Sequence, residues 1–348
     1  MSKVPARVDG RFRLGNILGS GSAVVYHAQN FLNDDVVAIK LEPLTSRPSS
    51  VEREYKILKQ LGNGVGIPRV IWFGRESTYH ALALELLGPS LHDIFKACNR
   101  KFSLHTVVNI GDQLLSCLEY IHSYGYIHSN IKPQNILVGL GESTQTLFVV
   151  DFGIAKMYWN AATETHIPFR RGQPLTGTPA FASINNHLGL EPGRRDDIES
   201  ISYMLIYFLL GSLPWLTSNH EKLSISDILK CKVDTTIADL CDGVPPEFAN
   251  LLVYSRSLLF SEDPDYDYLH SLLRGLHTTE IGLLDFIQPN DPVIHSPTSN
   301  IHSVAEAVLL CLPKPTPVHK SIRVLRPRNG PLPPSTTSTP RQKKKLIA

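Results

Sequence analysis

Short β-prone runs of residues fill the first part of the chain. Val24–Tyr26 and Val36–Ile39 are two such runs, and Gly, Ser, Asn and Asp residues separate them. β-Branched and aromatic residues favour strands, whereas the separating residues favour turns. We therefore predict strands between Arg11 and Lys40, and a further strand from Ala81 to Leu87.

Helical spacing of apolar residues begins after Ser50. Tyr55, Leu58 and Leu61 recur at intervals of three residues, with charged residues between them, which predicts a helix over Ser50–Leu61. Further helices are predicted over Leu91–Cys98, Ser103–Tyr124, Asp196–Leu210 and Pro246–Phe260. A β-rich first quarter followed by a helical remainder is typical of an α+β protein with two unequal lobes.

The C-terminal part of the chain has a different composition. The periodicity fades after about Gln288, and eight of the 36 residues from Pro313 onward are proline. Such a segment cannot bury enough apolar surface to offset the entropy lost on ordering, so we predict that 289–348 is a largely disordered tail. The last 36 residues also carry nine basic and no acidic side chains, although the whole chain has a formal net charge of +2. Removing these nine charges leaves −7 on the first 312 residues.

Charge and cysteine content narrow the classes of partner and compartment. A body with net negative charge is not expected to bind nucleic acid. The five cysteines form no C-x-x-C pair and the first ten residues lack an apolar leader, so we expect reduced thiols in a cytoplasmic and/or nuclear protein. The longest apolar stretch, within Ile201–Leu210, is too short to span a membrane. Basic residues at Arg341–Lys345 fit either a nuclear-localisation patch or a solvated chain end. We expect a monomer.

A glycine-rich segment, 19–24, joins two of the predicted strands. It matches the first two glycines of G-x-G-x-x-G, but Val24 takes the third position; alone, the segment fits a plain turn equally well. A V-A-I-K strand then ends at Lys40, the place of the lysine that contacts the α- and β-phosphates of ATP in protein kinases. Glu54 follows on the predicted helix and is placed to pair with this lysine. Glu52 is a competing candidate, although helical spacing points it about 200° away from Glu54.

A second group of polar residues follows further along the chain. The loop His128–Asn135 precedes an apolar strand, Leu147–Val150, and Asp151 begins an Asp-Phe-Gly triplet after it. In protein kinases, the asparagine and the aspartate at these places hold Mg²⁺, so Asn135 and Asp151 are the predicted metal ligands. The ordered series of motifs indicates a bilobal α+β protein-kinase fold. We place a small β-rich N-lobe at 10–85 and a larger, mainly α-helical C-lobe at 86–288.

More specifically, the chain resembles the casein kinase 1 family over about Phe12–Gln288. Ser183-Ile184-Asn185 stands where most kinases carry Ala-Pro-Glu. The other segments that carry the resemblance are Gly64–Pro68, Leu86–Leu91, Leu175–Thr178, Arg194–Ser200, Gly211–Trp215 and Pro264–Leu269. The resemblance implies ATP and Mg²⁺ as cofactors, and Ser or Thr of a protein substrate as phosphate acceptor.

The resemblance also implies roles for individual residues. Lys132 and Asn130 take catalytic positions, His128 is expected to support the Asp-Phe-Gly turn, and Asp197 to anchor the catalytic loop. The implied ATP-binding residues are Ile17, Leu18, Gly19, Ser20, Gly21, Ser22, Ala23, Val24, Val25, Ala38, Lys40, Glu54, Leu84, Glu85, Leu87 and Leu137.

The chain departs from this family at the residues of phosphate transfer. The family has His-Arg-Asp where this chain has His128-Ser129-Asn130, and a neutral amide cannot act as a base near pH 7. General-base catalysis typically contributes about 10²–10⁴-fold to a rate. Ala180 stands where the family has an arginine that binds phosphate groups of primed substrates, and Val24 stiffens the glycine-rich loop.

Three hypotheses follow from this mixture of retained and lost residues. We favour a pseudokinase that binds Mg²⁺-ATP, transfers phosphate weakly or not at all, and acts on a protein partner as a scaffold or regulator. The second hypothesis is an active serine/threonine kinase of low turnover, in which Asn130 orients the substrate hydroxyl. The third is an interaction module that no longer binds ATP, because Val24 and its neighbours obstruct the site.

Overall fold

The computed structural model of the chain describes residues 6–45, 47–216, 223–276, 284 and 286. The tail predicted at 289–348, including its basic patch, lies outside these residues. None of the described helices is long and apolar enough to cross a membrane.

A six-stranded antiparallel sheet forms the N-terminal lobe, with the strand order β1-β2-β3-β4-β6-β5. Its strands are β1 (Arg7–Val8), β2 (Phe12–Ser20), β3 (Val24–Asn30), β4 (Val36–Pro43), β5 (Val70–Arg75) and β6 (Tyr79–Glu85). The strands predicted between Arg11 and Lys40 are confirmed, although the last of them continues to Pro43, and the strand predicted over Ala81–Leu87 lies two residues earlier, at Tyr79–Glu85.

Side chains alternate between the two faces of the sheet along β4, and this alternation decides where Lys40 lies. Val37, Ile39 and Leu41 are buried, whereas Ala38 and Lys40 are half-buried on the opposite face. Successive residues of a strand point to opposite sides, so the apolar set packs into the core of the sheet. Lys40 is thereby left on the face towards the following helix.

The helix α1 (Ser50–Leu61) has the bounds that the periodicity predicts. It begins after Ser49, whose hydroxyl accepts a hydrogen bond from the backbone N–H of Glu52, and it ends before Gly62, a residue type that favours helix ends. The carboxylate of Glu42 in β4 accepts bonds from the hydroxyl and the backbone N–H of Ser50. These contacts tie the first turn of α1 to the strand that carries Lys40.

Helices make up most of the second lobe. They are α2 (Leu91–Ala97), α3 (Leu104–Ser123), α4 (Ile184–His187), α5 (Arg194–Leu210), α6 (Ile225–Asp234), α7 (Ile237–Leu240), α8 (Pro246–Ser257) and α9 (Tyr266–Arg274). The helix α5 is almost wholly buried, and it packs with α3 and α8 in the main apolar core. The two-lobed α+β architecture is therefore confirmed.

One predicted helix end is wrong by three residues, whereas the other predicted ends lie within two residues of the observed ones. The predicted segment Pro246–Phe260 ends as a helix at Ser257, because Leu258 is extended, with ψ 136°. The carbonyl of Leu258 instead accepts a hydrogen bond from the guanidinium of Arg195, 2.8 Å away. This contact links α8 to the start of α5.

Three pairs of short strands complete the described structure and carry the loops of the site. They are β8 (Ile136–Val138) with β9 (Leu147–Val149), β7 (Tyr126–Ile127) with β10 (Lys156–Met157), and β11 (Trp159–Asn160) with β12 (Thr165–His166). The loop His128–Asn135, which carries Asn130 and Lys132 and is named the catalytic-position loop, lies between β7 and β8. The Asp-Phe-Gly turn follows β9.

Candidate functional site

A three-membered ion cluster lies between the sheet and α1. The ammonium of Lys40 is 2.6 Å from Oε2 of Glu54 and 2.7 Å from Oδ1 of Asp151. The predicted pair of Lys40 and Glu54 is therefore confirmed. The competing candidate, Glu52, instead pairs with Lys56 on the same helix.

Burial and charge act in opposite directions on this cluster. Burial alone would lower the pKa of Lys40, but the two carboxylates around it outweigh burial and raise that pKa above its usual value. Burial would likewise raise the pKa of Asp151, but Lys40 lowers it. Both groups are thus held in their charged forms at neutral pH, as a site for an anionic ligand and a cation requires.

The Asp-Phe-Gly turn is fixed from both lobes. Asp151 has a left-handed backbone (φ 71°), and the next N–H, of Phe152, donates to Oε1 of Glu54 at 3.3 Å. The buried ring of Phe152 packs edge-on against the ring of His128, with centroids 4.9 Å apart. Nε2 of His128 bonds to the carbonyl of Val150 at 3.1 Å. The expected structural role of His128 is therefore confirmed.

Asp197, at the start of α5, anchors the loop that precedes Asn130. Its carboxylate accepts the backbone N–H groups of His128 at 2.7 Å and Ser129 at 2.8 Å, and it lies 3.0 Å from Nε2 of His122. Ser129 needs this support because its backbone is left-handed (φ 62°), a conformation that costs energy for residues other than glycine. The predicted anchor is confirmed.

Asn130 contacts the ion cluster directly. Its amide nitrogen donates to Oδ2 of Asp151 at 3.1 Å, and its amide oxygen accepts from the hydroxyl of Thr178 at 3.4 Å. Because a carboxylate can only accept hydrogen bonds when ionised, the amide must turn its nitrogen towards Asp151. The backbone oxygen of Asn130 accepts from the amide of Asn135 at 3.0 Å.

Asn135 and Asp151 offer the oxygen atoms expected for magnesium. The amide nitrogen of Asn135 is used by the loop, which leaves its amide oxygen as the acceptor. Carboxylate and amide oxygens suit Mg²⁺, so the residues present fit the ion. Within the described residues, no three His, Cys, Asp or Glu side chains are grouped so that they could hold a metal without a ligand's help.

Lys132 lies on the loop between Asn130 and Asn135. Its side chain is half-buried; burial lowers the pKa of Lys132, and the charge of Asp151 opposes this lowering. The structure thus brings both predicted catalytic residues near Asp151, one by a hydrogen bond and one through its charge.

The segment around Thr178 packs closely on the catalytic-position loop. Gly177 has φ +79°, and a Cβ added there would lie 2.5 Å from the carbonyl oxygen of Ser129, so only glycine fits. A cavity of about 10 Å³ lies below, and Ser129 and Asn130 line part of it. The hydroxyl of Ser129 is buried and has no hydrogen-bond partner among the described residues.

The remaining predicted ATP residues lie on the sheet and at the junction of the lobes. Register pairs Ala38 with Leu84 and Val25 with Lys40. Seven of these predicted residues are half-buried: Val24, Val25, Ala38, Leu84, Glu85, Leu87 and Leu137. Ile17 and Leu18 are exposed on β2 and are not part of the ion cluster.

The glycine-rich loop has two distinct faces. A Cβ built on Gly19 or on Gly21 would meet nothing within 4 Å, so the described protein atoms leave room beside both residues. Gly21 and Ser22 are exposed, and Ser20 is exposed at the end of β2. Ala23 is instead buried in a small apolar cluster with Val51 of α1 and Leu82 of β6.

Sequence reasoning missed a buried lysine on α6. The ammonium of Lys232 donates to the carbonyl of Pro179 at 2.9 Å and also to that of Ala182. It lies 4.6 Å from the ring centroid of Tyr203 and 5.1 Å from that of Trp215. These contacts hold the segment that follows Thr178. No local signal distinguishes this lysine from a surface lysine on an amphipathic helix.

The family model described as protein kinase domain matches residues 12–275. The matched range begins at β2 and ends just after α9, and it includes every residue of the ion cluster.

Proposed function

This chain belongs to the protein kinase family, and we propose that it is a casein kinase 1-like member that binds Mg²⁺-ATP but transfers phosphate weakly or not at all. We further propose that it acts on a protein partner as a scaffold or regulator. Magnesium, when bound, would neutralise phosphate charge. The remaining contacts with ATP would come from residues of the chain itself.

The contact of Asn130 with Asp151 carries this proposal. Kinases use an aspartate at this position to accept the proton of the substrate hydroxyl, and an amide cannot take a proton near pH 7. Here the amide nitrogen is directed to Asp151, and the amide oxygen accepts from Thr178. The loss of a general base alone would reduce the rate about 10²–10⁴-fold.

The pre-formed ion cluster supports nucleotide binding. Lys40 contacts both Glu54 and Asp151, which brings together the charged groups that protein kinases use to hold ATP and Mg²⁺. The open space beside Gly19 and Gly21 supports a role of this loop in covering phosphates.

The same cluster favours the second candidate function, an active serine/threonine kinase of low turnover. In that case Asn130 would orient the substrate hydroxyl without removing its proton, and positioning would supply the remaining catalysis. The third candidate, an interaction module without ATP, finds support in Ala23, whose burial against Val51 and Leu82 turns one residue of the loop inwards.

Thermal-shift measurements separate nucleotide binders from the interaction module. We expect millimolar Mg²⁺-ATP to raise the melting temperature of the full chain, and Lys40→Ala to abolish the rise. The exposed Lys56→Ala variant is the matched control and should retain it. Absence of any shift in the wild type would exclude the first two functions.

Phosphate transfer to casein from radiolabelled ATP separates the pseudokinase from the active kinase. We expect little or no transfer by the wild type and at most partial recovery in Asn130→Asp, because Ala180 and Val24 remain unchanged. Transfer by the wild type that Lys40→Ala abolishes would contradict the pseudokinase and favour an active kinase.

We also propose a cytoplasmic and/or nuclear location, with the basic tail contributing to nuclear or anionic-surface association. Deleting 313–348 should reduce that association and leave nucleotide binding unchanged. Unchanged localisation after the deletion would refute the role of the tail.

A further inference from the structure

Both carboxylate oxygens of Asp151 are already engaged by donors of the protein. Oδ1 accepts from the ammonium of Lys40 at 2.7 Å and Oδ2 from the amide of Asn130 at 3.1 Å. A divalent cation that binds this carboxylate must share its oxygens with these two donors, because an ionised carboxylate has lone pairs for more than one partner on each oxygen. The second donor exists only because residue 130 is an amide, since an aspartate there would present a further acceptor.

The amide of Asn130 is held firmly in this position. The residue is only 9% exposed, its backbone N–H donates to Nδ1 of His128 at 3.2 Å, and its backbone oxygen accepts from Asn135 at 3.0 Å. Its amide oxygen faces the hydroxyl of Thr178. Each end of the amide therefore has a partner, and a rotation that freed Asp151 would turn the amide oxygen towards a carboxylate.

The exchange of a carboxylate for an amide also changes the charge of the site. Two carboxylates, Glu54 and Asp151, are matched by two ammonium groups, Lys40 and Lys132. The nearby charges are thus formally balanced. An aspartate at position 130 would add one negative charge next to Asp151, which would attract a divalent cation and repel the phosphates of a nucleotide without its metal.

We propose that Asn130 is a specificity-determining residue for the ligand, and that it allows this site to bind ATP with little dependence on a divalent cation. The inference rests on the nucleotide binding proposed above, and it concerns binding alone. It assigns to Asn130 a positive role in retaining metal-free nucleotide, in addition to the loss of a proton acceptor.

The test is a calorimetric titration of the full chain with ATP, once in millimolar Mg²⁺ and once in EDTA. For the wild type we expect dissociation constants that differ by less than about tenfold between the two media. For Asn130→Asp we expect that ratio to rise by at least about tenfold, mainly because binding in EDTA weakens. Asn130→Ala, which removes the hydrogen bond without adding charge, should give an intermediate ratio.

Asn250→Asp is the matched control, since Asn250 is exposed on α8 and gains the same charge away from the site. Its ratio should equal that of the wild type. Tight wild-type binding in Mg²⁺ with loss of binding in EDTA would overturn the inference and leave the proposed function standing. Absence of binding in both media would refute both. The wild type decides whether binding depends on the metal, and an unchanged ratio in both Asn130→Asp and Asn130→Ala would refute the role of Asn130.

Discussion

The carboxylate of Asp197 gives the sharpest prediction about the framework of the site. Three donors converge on it: the N–H groups of His128 and Ser129, and Nε2 of His122. His128 and His122 share Oδ2, and Ser129 uses Oδ1. Asp197→Asn keeps the shape of the side chain but leaves only one acceptor oxygen. In either orientation, the new NH₂ group faces at least one buried donor.

The magnitude follows from these contacts. A hydrogen bond to a charged group contributes about 1.5–3 kcal/mol, and a buried donor left without a partner costs about as much again. We therefore expect Asp197→Asn to reduce the free energy of unfolding by about 3–5 kcal/mol, in the range for breaking a buried charged network. For a domain of this size, the melting temperature should fall by roughly 6–15 °C.

Differential scanning calorimetry of the full chain measures this loss directly. Asp242→Asn is the control, because Asp242 is exposed and its change should shift the melting temperature by less than about 2 °C. A shift for Asp197→Asn as small as that of the control would refute the claim that this carboxylate holds the loop.

The pH dependence gives a second check on the same residue. Burial alone would raise the pKa of Asp197, but the bonds from His122 and His128 outweigh it and hold that pKa below the usual 3.8. An acid with a lowered folded pKa stabilises the protein above its unfolded pKa, and this stabilisation is lost as the pH falls through the folded value. The difference in stability between wild type and Asp197→Asn should therefore shrink only below about pH 3.8.

Three other variants test separate parts of the account. Gly177→Ala should cost about 1–3 kcal/mol of stability from backbone strain. Gly10→Ala should cost less, since both glycines have positive φ but only at Gly177 would the new Cβ lie 2.5 Å from a backbone atom. Urea titration measures the stability of both variants. Burial lowers the pKa of Lys232 to about 7, so above pH 7 the unfolded chain binds more protons than the folded one. Wild-type stability should therefore rise between about pH 7 and 10. Lys232→Met should lose this rise, whereas the exposed Lys230→Met should keep it. Gly21→Ala should leave the melting temperature within 2 °C of wild type yet weaken ATP binding in calorimetry, because its methyl group enters the open space beside the loop.

Motif order predicts the ion cluster from the sequence, because each member stands at a fixed place relative to a strand or a helix. Lys40 lies on an alternating strand and Glu54 on the inner face of an amphipathic helix, and the order of the motifs pairs them. The anchoring role of Asp197 is instead implied by the family resemblance.

The contact between Asn130 and Asp151 could not be predicted in this way. It depends on left-handed backbone at Ser129 and Asp151, a conformation that is uncommon for residues other than glycine and that no local pattern in the sequence predicts. Lys232 was missed for a related reason, since the carbonyls and rings that surround it come from segments distant in sequence. Tertiary packing alone decides that this lysine is buried.

The most direct test of the central claim is the turnover number of the wild type in phosphate transfer to casein, measured at saturating Mg²⁺-ATP with Lys40→Ala as background. Nucleotide occupancy is verified in the same sample by calorimetry. The account predicts an occupied site and a turnover at or near the Lys40→Ala background, because Asn130 supplies no base. Robust turnover that Lys40→Ala abolishes would contradict it.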